Sequence, residues 1–179
     1  MEKITKIFVA LAFTASASLA DDMLIVDTSG SLANKQKEVR AVVNQYLKKS
    51  IKVLAFNSSP YFVKHERELN FNGDTALSLA LNKVQTENIN FLTIVTDGLP
   101  NDEEESIKVA NRLKQQGVKI CAVFISDNSE IPKTFNLIAD RSFIISDVNK
   151  ALDTCSDSVK QELGYQAIQK TVELDKYTF

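Results

Sequence analysis

Leu24-Ile25-Val26-Asp27-Thr28-Ser29-Gly30-Ser31 is the stretch that decides how this chain is read. A short apolar run ends in a carboxylate, and two hydroxyl side chains follow at alternate positions. The run has the composition of a buried strand. A second unit of the same kind comes later: Phe91-Leu92-Thr93-Ile94-Val95 leads into Thr96-Asp97-Gly98. Between them stands Gly73-Asp74-Thr75. If the two strands are parallel neighbours, Asp27 and Asp97 emerge on one edge of a sheet, where open α/β sheets bind their ligands. Hard oxygen donors with no Cys or His among them suit Mg²⁺, and next Mn²⁺ or Ca²⁺.

Outward from this stretch the chain alternates two periodicities. Strand-like runs are expected at 23–26, 51–56, 90–95, 118–125 and 142–145. Helical spacing is expected over 32–49, where Val39, Val42, Val43, Tyr46 and Leu47 share a face, and over 76–84, 103–116 and 132–140. A final helix is expected from 148 onward. Three glutamates, Glu103 to Glu105, open the third helix where acidic residues favour its dipole. Gly117 follows as a C-cap. The segment 61–69 reads as a short antiparallel edge strand and its exit, after the turn-forming Asn57-Ser58-Ser59-Pro60. Strand and helix in alternation imply an α/β fold, doubly wound, with a mostly parallel sheet, one antiparallel edge strand and helices on both faces.

The 179 residues argue for one main domain, and 44% apolar and 25% charged residues are ordinary for a globular protein. A net charge of −2 points to neither nucleic acid nor an anionic membrane as partner. Residues 1–20 differ in kind. Lys3 and Lys6 precede an apolar stretch that closes on Ser18-Leu19-Ala20, the layout of a secretory signal peptide. It is too short for a stable bilayer span, and the alternative is an uncleaved amphipathic helix. Asp21, not Cys, follows the expected cleavage site, which argues against a lipid anchor. The expected organisation is a leader at 1–20, a domain at 21–156 and a helical extension at 157–179. Two cysteines, Cys121 and Cys155, are either a disulfide of an exported protein or two buried thiols.

These residues resemble the von Willebrand factor type A domain, also the fold of the integrin inserted domain. That family carries a metal-ion-dependent adhesion site (MIDAS) built from Asp-x-Ser-x-Ser, a distant Thr and a distant Asp. Asp27, Ser29 and Ser31 match the first element, Thr75 the second and Asp97 the third. The stretches 53–58, 119–126 and 143–147 look like further strands of the family, so the resemblance covers about residues 22–155. It implies that Ser29 and Ser31 ligate a divalent cation, that Asp27 and Asp97 hold it directly or through water, and that Thr75 joins them. It also implies an open coordination position filled by an Asp or Glu carboxylate from a protein partner. Gly30, Asp74, Gly98, Leu99 and Asn101, with Pro100 and Asp102, would rim the site. Many relatives have Gly-Gly-Thr where this chain has Gly73-Asp74-Thr75. The additional carboxylate of Asp74 leaves the choice among Mg²⁺, Mn²⁺ and Ca²⁺ open.

Simpler accounts exist for each piece alone. Asp27 or Ser29 would cap the helix that follows, Thr75 would cap the helix at 76, and Asp97-Gly98 would be a turn. Enzyme chemistry finds little support. A haloacid-dehalogenase-type phosphatase needs a second Asp where Ser29 stands. A serine hydrolase needs a His base, and the sole His, His65, lies in the polar stretch Lys64-His65-Glu66-Arg67-Glu68. No phosphate-binding or dinucleotide Gly motif is present. The reading is therefore a non-enzymatic, exported, metal-dependent protein-binding module of the bacterial periplasm or cell surface. The alternative is a structural subunit of an envelope assembly in which the metal site is incidental.

Overall fold

The computed structural model describes residues 21–125, 130–144 and 155. The expected leader at 1–20, the extension at 157–179 and nearly all of the expected last helix lie outside the described residues. β1 (Asp21–Asp27) is followed by a 3-10 turn (Gly30–Lys35) and α1 (Gln36–Lys48). β2 (Lys52–Phe56) and β3 (Pro60–Val63) come next, then α2 (Leu77–Val84), β4 (Ile89–Thr96) and α3 (Glu103–Gln115). β5 (Lys119–Phe124), α4 (Phe135–Ile138) and β6 (Arg141–Ile144) complete the described elements.

The six strands form one sheet in the order β3-β2-β1-β4-β5-β6. Every pair is parallel except β2 with β3 at the edge. β1 is thus interior, and the chain reverses its direction of winding between β1 and β4. A crevice opens at such a switch point, outside the carboxyl ends of the strands. Asp27 and Thr96 end the two strands there.

Alternation along β1 divides the core in two. Met23 and Ile25 pack with the apolar faces of α2 and α3. Leu24 and Val26 pack with Val39, Val42, Val43 and Tyr46 of α1. All four β1 side chains are fully buried, and each such burial contributes about 1.5–3 kcal/mol. This explains why β1 reads as a continuous apolar run with no polar alternation. A disulfide joins Cys121 of β5 to Cys155 within the α1-side core.

Three elements are shorter than their sequence patterns predict, each for a local reason. The first helix begins as a 3-10 turn because Leu32, fully buried, seats it and its N–H bonds back to the Ser29 carbonyl at 3.2 Å. The edge strand stops at Val63 because the Lys64 N–H turns to the Glu68 carboxylate at 2.8 Å, and a 3-10 turn (Glu66–Glu68) follows. The helix expected over 132–140 contracts to α4. Ala139 is extended, and the Asp140 carboxylate accepts the Ile120 N–H at 2.7 Å, returning the chain to the sheet.

Candidate metal centre

Three loops meet at the switch point, and backbone hydrogen bonds tie them together. The loop after β1 donates from the Gly30 N–H to the Gly73 carbonyl at 3.2 Å. The loop after β4 donates from the Asn101 N–H to the Thr75 carbonyl at 3.0 Å. The segment 73–75 therefore bridges the other two. It is held from below by the Asp74 N–H, which donates to the Ser58 hydroxyl at 3.0 Å. Gly73 sits at φ +74°, and a Cβ built on it would lie 2.5 Å from Ser58 Oγ. Both its handedness and the close approach demand glycine.

Asp27 is fully buried. Its Oδ1 accepts the Ser29 N–H at 2.8 Å, and its Oδ2 accepts the Thr96 hydroxyl at 2.6 Å. Burial raises its carboxyl above the ordinary value. Hydrogen bonds from Thr96 and from the Ser29 amide and hydroxyl oppose the rise, and the charge of Asp97 adds to it. From Ser29 a chain of oxygens runs outward. Ser29 Oγ lies 3.0 Å from Ser31 Oγ, and the Ser31 hydroxyl donates to Asp97 Oδ1 at 2.9 Å. Thr75 lies in the bridging loop, half-buried, and its hydroxyl is outside this chain.

The capping alternatives do not describe these residues. Ser29 occupies the N-cap of the 3-10 turn but makes no side-chain capping bond. Ala76, not Thr75, is the N-cap of α2. His65 lies beyond β3 at the opposite end of the sheet and accepts the Arg67 N–H, so it stands far from any serine of the site.

The donor chemistry fits a hard divalent cation. Among the described residues no group of three or more His, Cys, Asp or Glu side chains could hold a metal. Any ion here would depend on hydroxyls together with two carboxylates. Adjacent ligands of an octahedral ion with bonds of about 2.0–2.1 Å lie roughly 2.9 Å apart, and a Ca²⁺ ion at about 2.3–2.6 Å needs wider spacing. The observed 2.9 and 3.0 Å separations are those of hydrogen-bonded oxygens and bring the three side chains close enough to surround one ion. A buried carboxyl whose pKa desolvation raises is also one whose ionised form a nearby cation would favour.

Around this chain, Gly30, Asp74 and Asn101 are exposed and Leu99 is 47% exposed. Gly98 is half-buried, and a Cβ there would meet nothing within 4 Å. Two residues grouped with this rim in the sequence are turned inward. Pro100 is buried, and the Asp102 carboxylate is engaged by Ser78 and Ser106. Sequence reading also passed over Thr96 as a site residue. Its position beside Asp97 in the motif was visible, but its partner across the sheet was not.

No protein-family model matches the chain, and no curated protein matches it. Solved structures do, and they show the fold to be von Willebrand factor A-like. Manganese-loaded TRAP protein from Plasmodium vivax superposes with a TM-score of 0.57 at 22% identity, over 74% of this chain and 70% of that one. Proximal thread matrix protein 1 from the mussel byssus, with a zinc-occupied MIDAS motif, gives 0.61 at 17% identity, over 79% of this chain. A second crystal form of the mussel protein gives 0.60 at 16%. This chain spans less than half of the mussel protein's length, 45%.

Proposed function

We propose that this protein is an exported, metal-dependent protein-binding module. The observation that carries the reading is the hydrogen-bonded Ser29–Ser31–Asp97 oxygen chain, gathered at the switch point beside buried Asp27. Ser29 and Ser31 would ligate a divalent cation, Mg²⁺ first by the hard oxygen donors, with Mn²⁺ or Ca²⁺ next, and Asp27, Asp97 and Thr75 would hold it directly or through water. A cation so held supplies an electrophilic position for a carboxylate. Neutral hydroxyl ligands leave much of its charge uncompensated, so an Asp or Glu of a protein partner is the complementary ligand. Leu99 and Asn101 are the exposed side chains against which such a partner would rest. Manganese in the TRAP protein and zinc in the mussel protein support a metal at the equivalent place.

Export is supported by the signal-like leader and by the disulfide, a bond that persists in oxidising compartments. A non-enzymatic role belongs to the same reading: the carboxylate beside the Ser31 hydroxyl is that of Asp97, itself one of the proposed ligands. The structural-subunit alternative turns on residues 157–179, which lie outside the described residues.

The test is the thermal midpoint of the protein with EDTA, Mg²⁺, Mn²⁺ and Ca²⁺. An ion at ten times its dissociation constant stabilises by about 1.4 kcal/mol, roughly 3–6 °C for a domain of this size. The expected result is a shift with Mg²⁺ or Mn²⁺ that EDTA reverses and Asp27→Ala abolishes. Midpoints identical under all four conditions would refute the reading.

A further inference from the structure

Asp102 is the N-cap of α3, yet its carboxylate caps no N–H of its own helix. It reaches across to α2 instead. Oδ2 accepts both the N–H of Ser78, at 3.1 Å, and the Ser78 hydroxyl, while Oδ1 accepts the Ser106 hydroxyl at 2.9 Å. Ser78 and Ser106 are buried. One residue earlier, the Asn101 N–H donates to the Thr75 carbonyl. Two adjacent residues of the loop after β4 thus grip the segment that leads from Thr75 into α2. That segment in turn holds Gly30 through the Gly73 carbonyl.

We propose that Asp102 is a positioning residue of the metal centre. Its carboxylate locks the start of α2 to the start of α3, and so fixes Thr75 relative to Asp97. The inference rests on the metal-binding reading above and names the residue that sets its geometry. The chemistry suits the role. A carboxylate accepting three donors is a strong, directional clamp, and it ties together the helices that follow Thr75 and Asp97 in the chain. Groups that orient ligands without touching the ion commonly control affinity by 10–100-fold.

A matched control exists elsewhere in the fold. Asp140 also anchors a loop, through its carboxylate and the Ile120 N–H, but at the opposite end of the strands. The experiment is a Mn²⁺ titration of the protein, of Asp102→Asn, of Ser78→Ala and of Asp140→Asn, with the apo thermal midpoint of each. Asp102→Asn is expected to weaken Mn²⁺ binding by about 10–100-fold. Its stabilisation at saturating Mn²⁺ should still be reached, at proportionally higher concentration. Ser78→Ala removes one donor only and should fold even if Asp102→Asn does not; a loss of about 3–10-fold is expected. Asp140→Asn should lower the apo midpoint while leaving Mn²⁺ affinity within twofold. Equal Mn²⁺ affinity in the parent protein and Ser78→Ala or Asp102→Asn would overturn this assignment alone. A parent protein that binds no Mn²⁺ would overturn the metal reading and this inference with it.

Discussion

The two ends of the sheet treat their carboxylates differently. At the amino ends of the strands, Glu87 meets Lys52 Nζ at 2.9 Å, and Asp140 accepts a backbone N–H. Each is matched singly, one by a cation and one by an amide. At the carboxyl ends, Asp27, Asp97 and Asp102 share hydroxyls: Thr96, Ser31, Ser78 and Ser106 all donate to them. A hydroxyl satisfies a carboxylate without neutralising it. The first end is arranged for stability, and the second accumulates negative charge and oxygen lone pairs around a crevice. That contrast marks the proposed site better than exposure does, since Asp27 itself is buried.

If the contrast is sound, damage to the two kinds of site separates into different measurements. The largest effect on stability should come from a region that belongs to neither end. Replacing Cys121 and Cys155 together by Ala opens a loop of 34 residues, a loss of about 3–4 kcal/mol in denaturant unfolding by the loop-entropy model. Mn²⁺ affinity, measured where the variant remains folded, should not change. Asp97→Ala should do the reverse. It removes the acceptor of the Ser31 hydroxyl, and we expect Mn²⁺ affinity to fall by more than about 100-fold, about 2.7 kcal/mol, with little change in the apo midpoint. Retained affinity in titration calorimetry would break the comparison.

Gly73→Ala should move both readouts. The positive φ and the approach to Ser58 Oγ predict a cost of about 1–3 kcal/mol, together with weaker Mn²⁺ binding, because this segment bridges the two ligand loops. The smallest effect is the most telling in sign. Asp27→Asn removes a buried charge while its oxygen still accepts the Ser29 N–H. Thr96 can redirect its hydroxyl to the Gly98 carbonyl, 3.3 Å away. The metal-free midpoint should rise by about 2–4 °C, as for roughly 1 kcal/mol, while the metal-induced shift disappears. A lower midpoint would mean that the ionised carboxylate is worth more to the fold than its burial costs.

Much of this was legible in the sequence because it is local. The apolar runs ending at Asp27 and Asp97 set the strands, and helical spacing set α1, α2 and α3 to within a few residues. Ser29 and Ser31 stand out through the resemblance to an Asp-x-Ser-x-Ser element, since hydroxyls after a strand taken alone would equally cap a helix. What the sequence hid is the wiring between elements. Asp102 reads as part of the site's rim, and only the fold reveals that its carboxylate serves α2. Thr96 reads as the residue between the strand at 90–95 and Asp97, and its role depends on lying across from Asp27. The early end of β3 follows from Lys64 pairing with Glu68, a choice between two satisfactory hydrogen-bond partners that local pattern does not settle. The shared cause is that side-chain hydrogen bonds over long sequence separations leave no periodicity.

The interior position of β1 has a consequence for motion. Its amides are laddered to β2 on one side and β4 on the other, beneath side chains with no solvent exposure. Such amides exchange with solvent deuterium only when the whole domain opens. Asp27 is thus mounted on what should be the slowest-exchanging strand. Ser31, Leu99 and Asn101 stand outside the sheet, on segments held by a few single hydrogen bonds in place of a ladder. A partner arriving at this edge would therefore meet a rim that adapts around an anchor that does not.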